Sequence, residues 1–198
     1  MAKGSFEPQP WEVLASRTIY SGLPYVELSL QRVRLPDGRE VENFHQLKMP
    51  DYAMVVAEDI EGRLLLLRQY KHGVGRAGLH VPGGLMVPGE APLAAVQREL
   101  REETGYTAPE WRSLGSFVTN ANAGGGWGHF FAAKGAHQES LPNSGDLEEM
   151  ELVRLTRSEL AAAFARGEIN SLCTAAALAL ANCGAEPILG KPAPPSAA

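Results

Sequence analysis

Two cysteines in 198 residues exclude a disulfide-stapled scaffold. Cys173 and Cys183 fall in one helical stretch, where ten intervening steps hold them about 15 Å apart, too far to bridge. No apolar run approaches the roughly 18 residues that a membrane helix needs. Nothing near Met1 reads as a secretory leader, so the expected compartment is the cytoplasm, with no membrane partner. Positive charge is scarce as well: 18 Lys and Arg face 23 Asp and Glu, a net charge of −5. That balance leaves no electrostatic footprint for nucleic acid. The five histidines show no ligand spacing, so no zinc site is expected. There is no internal repeat. What remains is a chain long enough to bury a sizeable core and of one-domain size.

Against this plain background one segment stands out, GLMVPGEAPLAAVQRELREETGY from Gly84 to Tyr106. Pro88 and Gly89 mark a turn, and Pro92 suits a first helical turn, where its missing N–H costs nothing. The run to Thr104 is rich in helix formers, and Gly105 supplies a C-terminal stop. Leu93, Val96 and Leu100 follow i, i+3, i+7 and predict the buried stripe. Glu99, Glu102 and Glu103 share a second face, where they repel one another by a few tenths of a kcal/mol per pair. Arg98 and Arg101 can relieve part of that cost. Carboxylates are the ligands that hard divalent cations take, and Mg²⁺ completes its shell with waters and substrate phosphates. An acidic helix face of this kind therefore implies a phosphate-bearing substrate. An ion there would neutralise charge on a diphosphate and ease deprotonation of an attacking water. Gly83 and Gly84 let the main chain approach closely, so the Gly83 carbonyl is a further candidate ligand.

The pattern G-x5-E-x7-R-E-apolar-x-E-E-x-G-apolar, carried by Gly84, Glu90, Arg98, Glu99, Leu100, Glu102, Glu103, Gly105 and Tyr106, resembles the Nudix box at every defined position. Chance would produce it on the order of 10⁻⁷ times in a chain of this length. The resemblance implies Mg²⁺, with Mn²⁺ as the substitute, held by Glu99 and Glu103, with Glu102 acting directly or through water. It casts Glu90 and Arg98 as an orienting pair, and Gly84 and Gly105 as structural. The implied reaction is hydrolysis of a nucleoside diphosphate linked to another moiety.

Elsewhere the chain alternates short strands and turns. Trp11–Tyr20 has strand character, Val26–Gln31 alternates with period two, and Pro36–Arg39 is a turn before a partner strand at Glu40–Met49. Ala53–Ala57 and Leu64–Tyr70 read as buried strands around a Glu58–Gly62 turn. Ser113–Val118, Trp127–Ala133 and Glu151–Leu155 complete the strands, and Arg157–Arg166 and Ser171–Cys183 read as helices. The expected fold is an α/β/α sandwich with a mixed β-sheet, preceded by an antiparallel meander. Residues 1–50 form the meander, 51–186 the catalytic domain, and 187–198 a Pro/Ala-rich tail without fixed structure.

RQYKHG at 68–73 and HVPGGL at 80–85 are similar to the ADP-ribose and nucleoside-diphosphate-sugar pyrophosphatases. In that branch the meander is exchanged across a homodimer and a glutamate well past the box is the general base. The resemblance places that base on Glu148, with Glu149 as the neighbour that could substitute; a carboxylate must reach the attacking water. Arg68, with Tyr70 beside it, is positioned to meet a phosphate. Trp11, Tyr25 and Trp127 are candidates for stacking on a base. Two departures stand out. Where the branch often carries E-L-P-A-G this chain has His80-Val81-Pro82-Gly83-Gly84, a change expected to re-tune only the rim. Its loop Asn120–Gly128, with three consecutive glycines and no proline, is expected to serve as a hinged lid. The readings left open are ADP-ribose or a related nucleotide sugar, a dinucleotide or nucleoside triphosphate, a non-catalytic nucleotide-sugar-binding module, and a diphosphate isomerase.

Overall fold

The computed structural model describes residues 7–145, 147 and 149–181. Glu148, Cys183 and the segment 187–198 therefore lie outside the described residues. The chain divides into two compact units, one of residues 1–50 with 118–127, the other of 51–117 with 128–198.

In the first unit, β1 (Glu12–Gly22), β2 (Val26–Arg34) and β3 (Glu40–Lys48) form an antiparallel meander. The β2–β3 turn closes on Asp37, whose carboxylate accepts from the Arg39 N–H at 3.1 Å and the Arg39 Nε at 2.7 Å. Little is buried here beyond Val33. Residues 120–127 are tied to β3: Leu47 N–H donates to the Ala123 carbonyl at 2.6 Å and Gln46 Nε2 to that of Asn122 at 3.1 Å. Asn120 Oδ1 accepts from the N–H groups of Asn122 and Ala123. The expected lid is thus a hydrogen-bonded turn between strands, with its glycines used for close approach to β3 and Pro50.

The second unit holds β4 (Tyr52–Asp59), β5 (Leu64–Lys71), β6 (Arg76–His80), β7 (Gly83–Leu85), α1 (Pro92–Thr104), β8 (Tyr106–Thr107), β11 (Met150–Leu155), α2 (Arg157–Ala165) and α3 (Leu172–Ala181). The long strands β9 (Glu110–Asn120) and β10 (Gly124–Gln138) have residues in both units. Within the second unit β10 runs parallel to β4, and β4 is antiparallel to β7 and β5. β5 is antiparallel to β6 and β11. The sheet is therefore mixed.

Alternation sorts the core. Ala53, Val55 and Ala57 on β4 and Leu65 on β5 pack with Ala95, Val96 and Leu100 of α1. Val56, Leu64 and Leu66 turn the other way, against Leu160 and Ala163 of α2 and Ala177 and Leu178 of α3. Strands buried on both faces read as continuous apolar runs, which is why LLLL at 64–67 carries no polar gaps. The result is an α/β/α sandwich. At the β4–β5 turn, buried Asp59 accepts from the N–H groups of Glu61 and Arg63 and from Arg154 at 2.7 Å. Burial alone would raise its pKa, but these donors outweigh it and hold the carboxyl below its usual value.

One element departs from its expected face. On α1 the buried residues are Ala95, Val96, Leu100, Glu103 and Thr104, while Leu93 is 41% exposed. Leu93 has nearly the right angle about the axis, but it lies in the first turn, before the helix is covered.

Candidate active site

Helix α1 begins without a side-chain cap, Ala91 being extended and Pro92 occupying the first turn. It ends at Gly105, whose φ of 75° is the left-handed value that favours glycine. The Gly105 N–H donates to the Arg101 carbonyl at 2.8 Å, and its own carbonyl accepts from Glu139 and Ser140. A Cβ there would strike the Ser140 main chain.

Between these ends Arg98 organises the acids. Its Nε and Nη2 each donate to Glu90 at 3.0 Å, a two-pronged pair of fixed geometry. Its Nη1 donates to Glu99 at 2.7 Å and to Glu102 at 3.0 Å, and Nη2 reaches the Leu85 carbonyl at 3.3 Å. Glu90 also accepts from the Val87 N–H at 3.0 Å, which folds the turn before the helix onto the same arginine. The hydrogen bonds from Arg98, then that from Val87, hold the Glu90 carboxyl below its usual pKa. Bonds to Glu90 first, then to Glu99 and Glu102, push the Arg98 guanidinium further up against its burial.

Glu103 is buried and accepts from the Gly83 N–H at 2.7 Å. A Cβ on Gly84 would lie 2.7 Å from the Glu99 carboxylate, so that acid rests directly on the main chain of β7. These residues fit a hard divalent cation in kind: three carboxylates on one helix face, against two glycines that put no side chain in the way. As the side chains stand, no three acids, histidines or cysteines among the described residues are gathered closely enough to hold an ion. Two of the acids expected as ligands, Glu99 and Glu102, are instead paired with Arg98. Like charges on one helix turn spread apart around the nearest cation, and here that cation is Arg98.

The remaining expected residues are placed as follows. Glu149 is exposed, just ahead of β11. Arg68 donates to Glu168 at 2.9 Å and lies 3.9 Å from Glu151, so it is occupied by surface acids. Tyr70 Oη is 3.2 Å from His72 Nδ1. Both belong to the second unit, with the box. Trp11, Tyr25 and Trp127 belong to the first. Trp11 packs edge-on against Phe44 with centroids 5.4 Å apart, and Tyr25 is 67% exposed.

His80, expected at a rim, is 4% exposed, and its Nε2 has no hydrogen-bond partner. Burial, then the charge of Lys71, lowers its pKa and keeps the ring neutral. Gln69 on the neighbouring strand is also buried, with Oε1 unpartnered. The two are diagonal neighbours, since Leu67 opposes His80 and Gln69 opposes Gly78. No local spacing in the sequence marks that pair.

A NUDIX domain is matched over residues 48–172, and the chain belongs to that family. An ADP-ribose pyrophosphatase of Mycobacterium tuberculosis is 32% identical over 178 residues, covering 86% of this chain and 83% of that protein. An ADP-ribose pyrophosphatase of Bacillus subtilis is 29% identical over 144 residues, covering 73% and 76%. Among solved structures, one described as an ADP compounds hydrolase superposes with a TM-score of 0.75 at 22% identity, covering 89% of this chain and 95% of that one. The fold, the box and these relatives together make the chain a Nudix pyrophosphohydrolase.

Proposed function

We propose that this enzyme cleaves the pyrophosphate bond of ADP-ribose or a related nucleoside diphosphate sugar, releasing a nucleoside monophosphate and a sugar phosphate. The observation that carries this reading is the packing of Glu99 on Gly84 and of Glu103 on Gly83, with Glu99 clamped through Arg98 to Glu90. Glu99, Glu102 and Glu103, with the Gly83 carbonyl, are the groups that would hold Mg²⁺ or Mn²⁺, and the ion would supply neutralising charge on the diphosphate. For those acids to serve, Arg98 keeps Glu90 and releases Glu99 and Glu102. Glu148 or Glu149 takes the proton from the attacking water. Arg68 exchanges Glu168 for a substrate oxygen, with Tyr70 at its side, and Trp11, Tyr25 or Trp127 stacks on the base.

The enzyme works in the cytoplasm as a homodimer, without a nucleic-acid or membrane partner. The exposed Val13, Ile19, Tyr20, Leu23 and Tyr25 of the meander support that assembly, because apolar side chains grouped on one segment mark interaction surfaces. Among the described residues no helix is long and apolar enough to cross a membrane.

Turnover of ADP-ribose, other nucleotide sugars, a dinucleoside polyphosphate and ATP with Mg²⁺ or Mn²⁺, followed by phosphorus NMR, tests the reading. Nucleoside monophosphate and sugar phosphate should form with the wild type, and Glu99→Gln should abolish them. A binding module would retain nucleotide sugars without forming either product. That result, or turnover confined to ATP or the dinucleotide, would refute the proposal.

A further inference from the structure

Strand β9 carries an irregularity that the box does not explain. Leu114 packs in the α2/α3 cluster together with Phe130, and the Phe117 ring meets Phe130 at 6.0 Å. Positions 114 and 117 thus look to the same face, although strict alternation puts residues three apart on opposite faces. The change of face falls between them, where Gly115 has a φ of 114° that few other residues adopt. Ser116 is thereby turned to the α1 face, and its hydroxyl lies 2.7 Å from His129 Nδ1. His129 belongs on that face too, two residues before Phe131, which packs with α1. On its other side His129 Nε2 lies 4.0 Å from Asp51 Oδ2.

This string stands beside the box. His129 is level with Ala53 on β4, and Ala53 is level with Gly84 on β7. His129 and Gly84 are therefore two strand spacings apart, about 10 Å, on the sheet face that carries α1. Gly84 is the residue on which the Glu99 carboxylate rests.

The chemistry of the string is specific. With the Ser116 hydroxyl donating to Nδ1, the ring proton sits on Nε2, which becomes a donor. A donor and a carboxylate 4.0 Å apart are too distant for a direct hydrogen bond. They suit a hydroxyl, which accepts from one partner while donating to the other. We propose that Ser116, His129 and Asp51 form a subsite for a hydroxyl of the substrate's sugar. Ser116 fixes the imidazole tautomer, His129 donates to the sugar oxygen, and Asp51 accepts its proton in a hydrogen bond. This deepens the reading given above and rests on it: the moiety beyond the diphosphate is a polyol, and this face selects for it.

The test compares two substrates on three variants. ADP-ribose carries hydroxyls on a second sugar beyond the diphosphate; the methyl ester of ADP keeps the adenosine and the diphosphate but has no second sugar. His129→Leu and Asp51→Asn should each raise KM for ADP-ribose about ten- to hundredfold with little change in kcat. Both should leave the methyl ester's KM within about twofold and the melting temperature near wild type. His129→Gln, which keeps a donor, should recover part of the loss. Equal losses on both substrates, or no loss on either, overturn the subsite while the pyrophosphatase reading stands. If the wild type leaves ADP-ribose and every other nucleotide sugar intact, that reading falls and takes the subsite with it.

Discussion

At the scale of single residues, Arg98 decides most. It is three-quarters shielded and bonds three carboxylates and a carbonyl. Arg98→Ala leaves Glu90, Glu99 and Glu102 without their common partner, at a cost of about 2 kcal/mol. Thermal melting should show that loss even without substrate. Arg98→Lys should recover little of it, because one ammonium cannot reproduce the two-pronged contact with Glu90. Glu99→Gln separates fold from function: kcat should fall by orders of magnitude while the melting temperature stays near wild type. An unfolded variant would mean that the acid is structural. These residues were legible because the box is local, every member lying between Gly84 and Tyr106. Ser116, His129 and Asp51 were not. Their meeting depends on a change of face within β9 and on pairing between strands far apart in sequence, and no spacing records either. His80 was misplaced for the same kind of reason, since a motif position says nothing of what covers it.

Among the elements, α1 and the β4–β5 turn invite the clearest tests. Gly105→Ala forces a side chain into the left-handed region and against the Ser140 main chain. A loss of about 2 kcal/mol is expected, lowering the melting temperature by roughly 4–8 °C. Asp59 gives the acid limb of stability. Its folded pKa lies below the unfolded value, so its contribution is complete above about pH 4 and lost as pH falls through the folded value. Urea unfolding at pH 6 and pH 3 should show the wild type losing more stability than Asp59→Asn, whose starting stability is lower. The strands of the sandwich were readable from apolar runs and period-two alternation, and the stop of α1 from Gly105. The stripe on α1 was only half readable. Periodicity gives the angle of a side chain about the axis, and not how far along the axis a sheet covers it, so Leu93 was assigned and Ala95 and Thr104 were passed over.

For the whole molecule, sedimentation should give a dimer at micromolar concentration, with a melting temperature that rises as protein is added. A monomer at tens of micromolar would remove the role proposed for the meander. The sequence pattern marked the meander's strands but not that residues 118–127 belong to the same compact unit. That grouping comes from hydrogen bonds between Leu47 and Ala123 and between Gln46 and Asn122, which join stretches 76 positions apart.

Because the guanidinium of Arg98 already counters Glu99 and Glu102, folding is expected to be independent of a mineral. Loading becomes a trade of one counter-charge for another, so affinity should be modest and output should follow the supply of free ion. Protein stripped with a chelator should be idle yet melt within a degree or two of the loaded form, and wake at once when magnesium is restored.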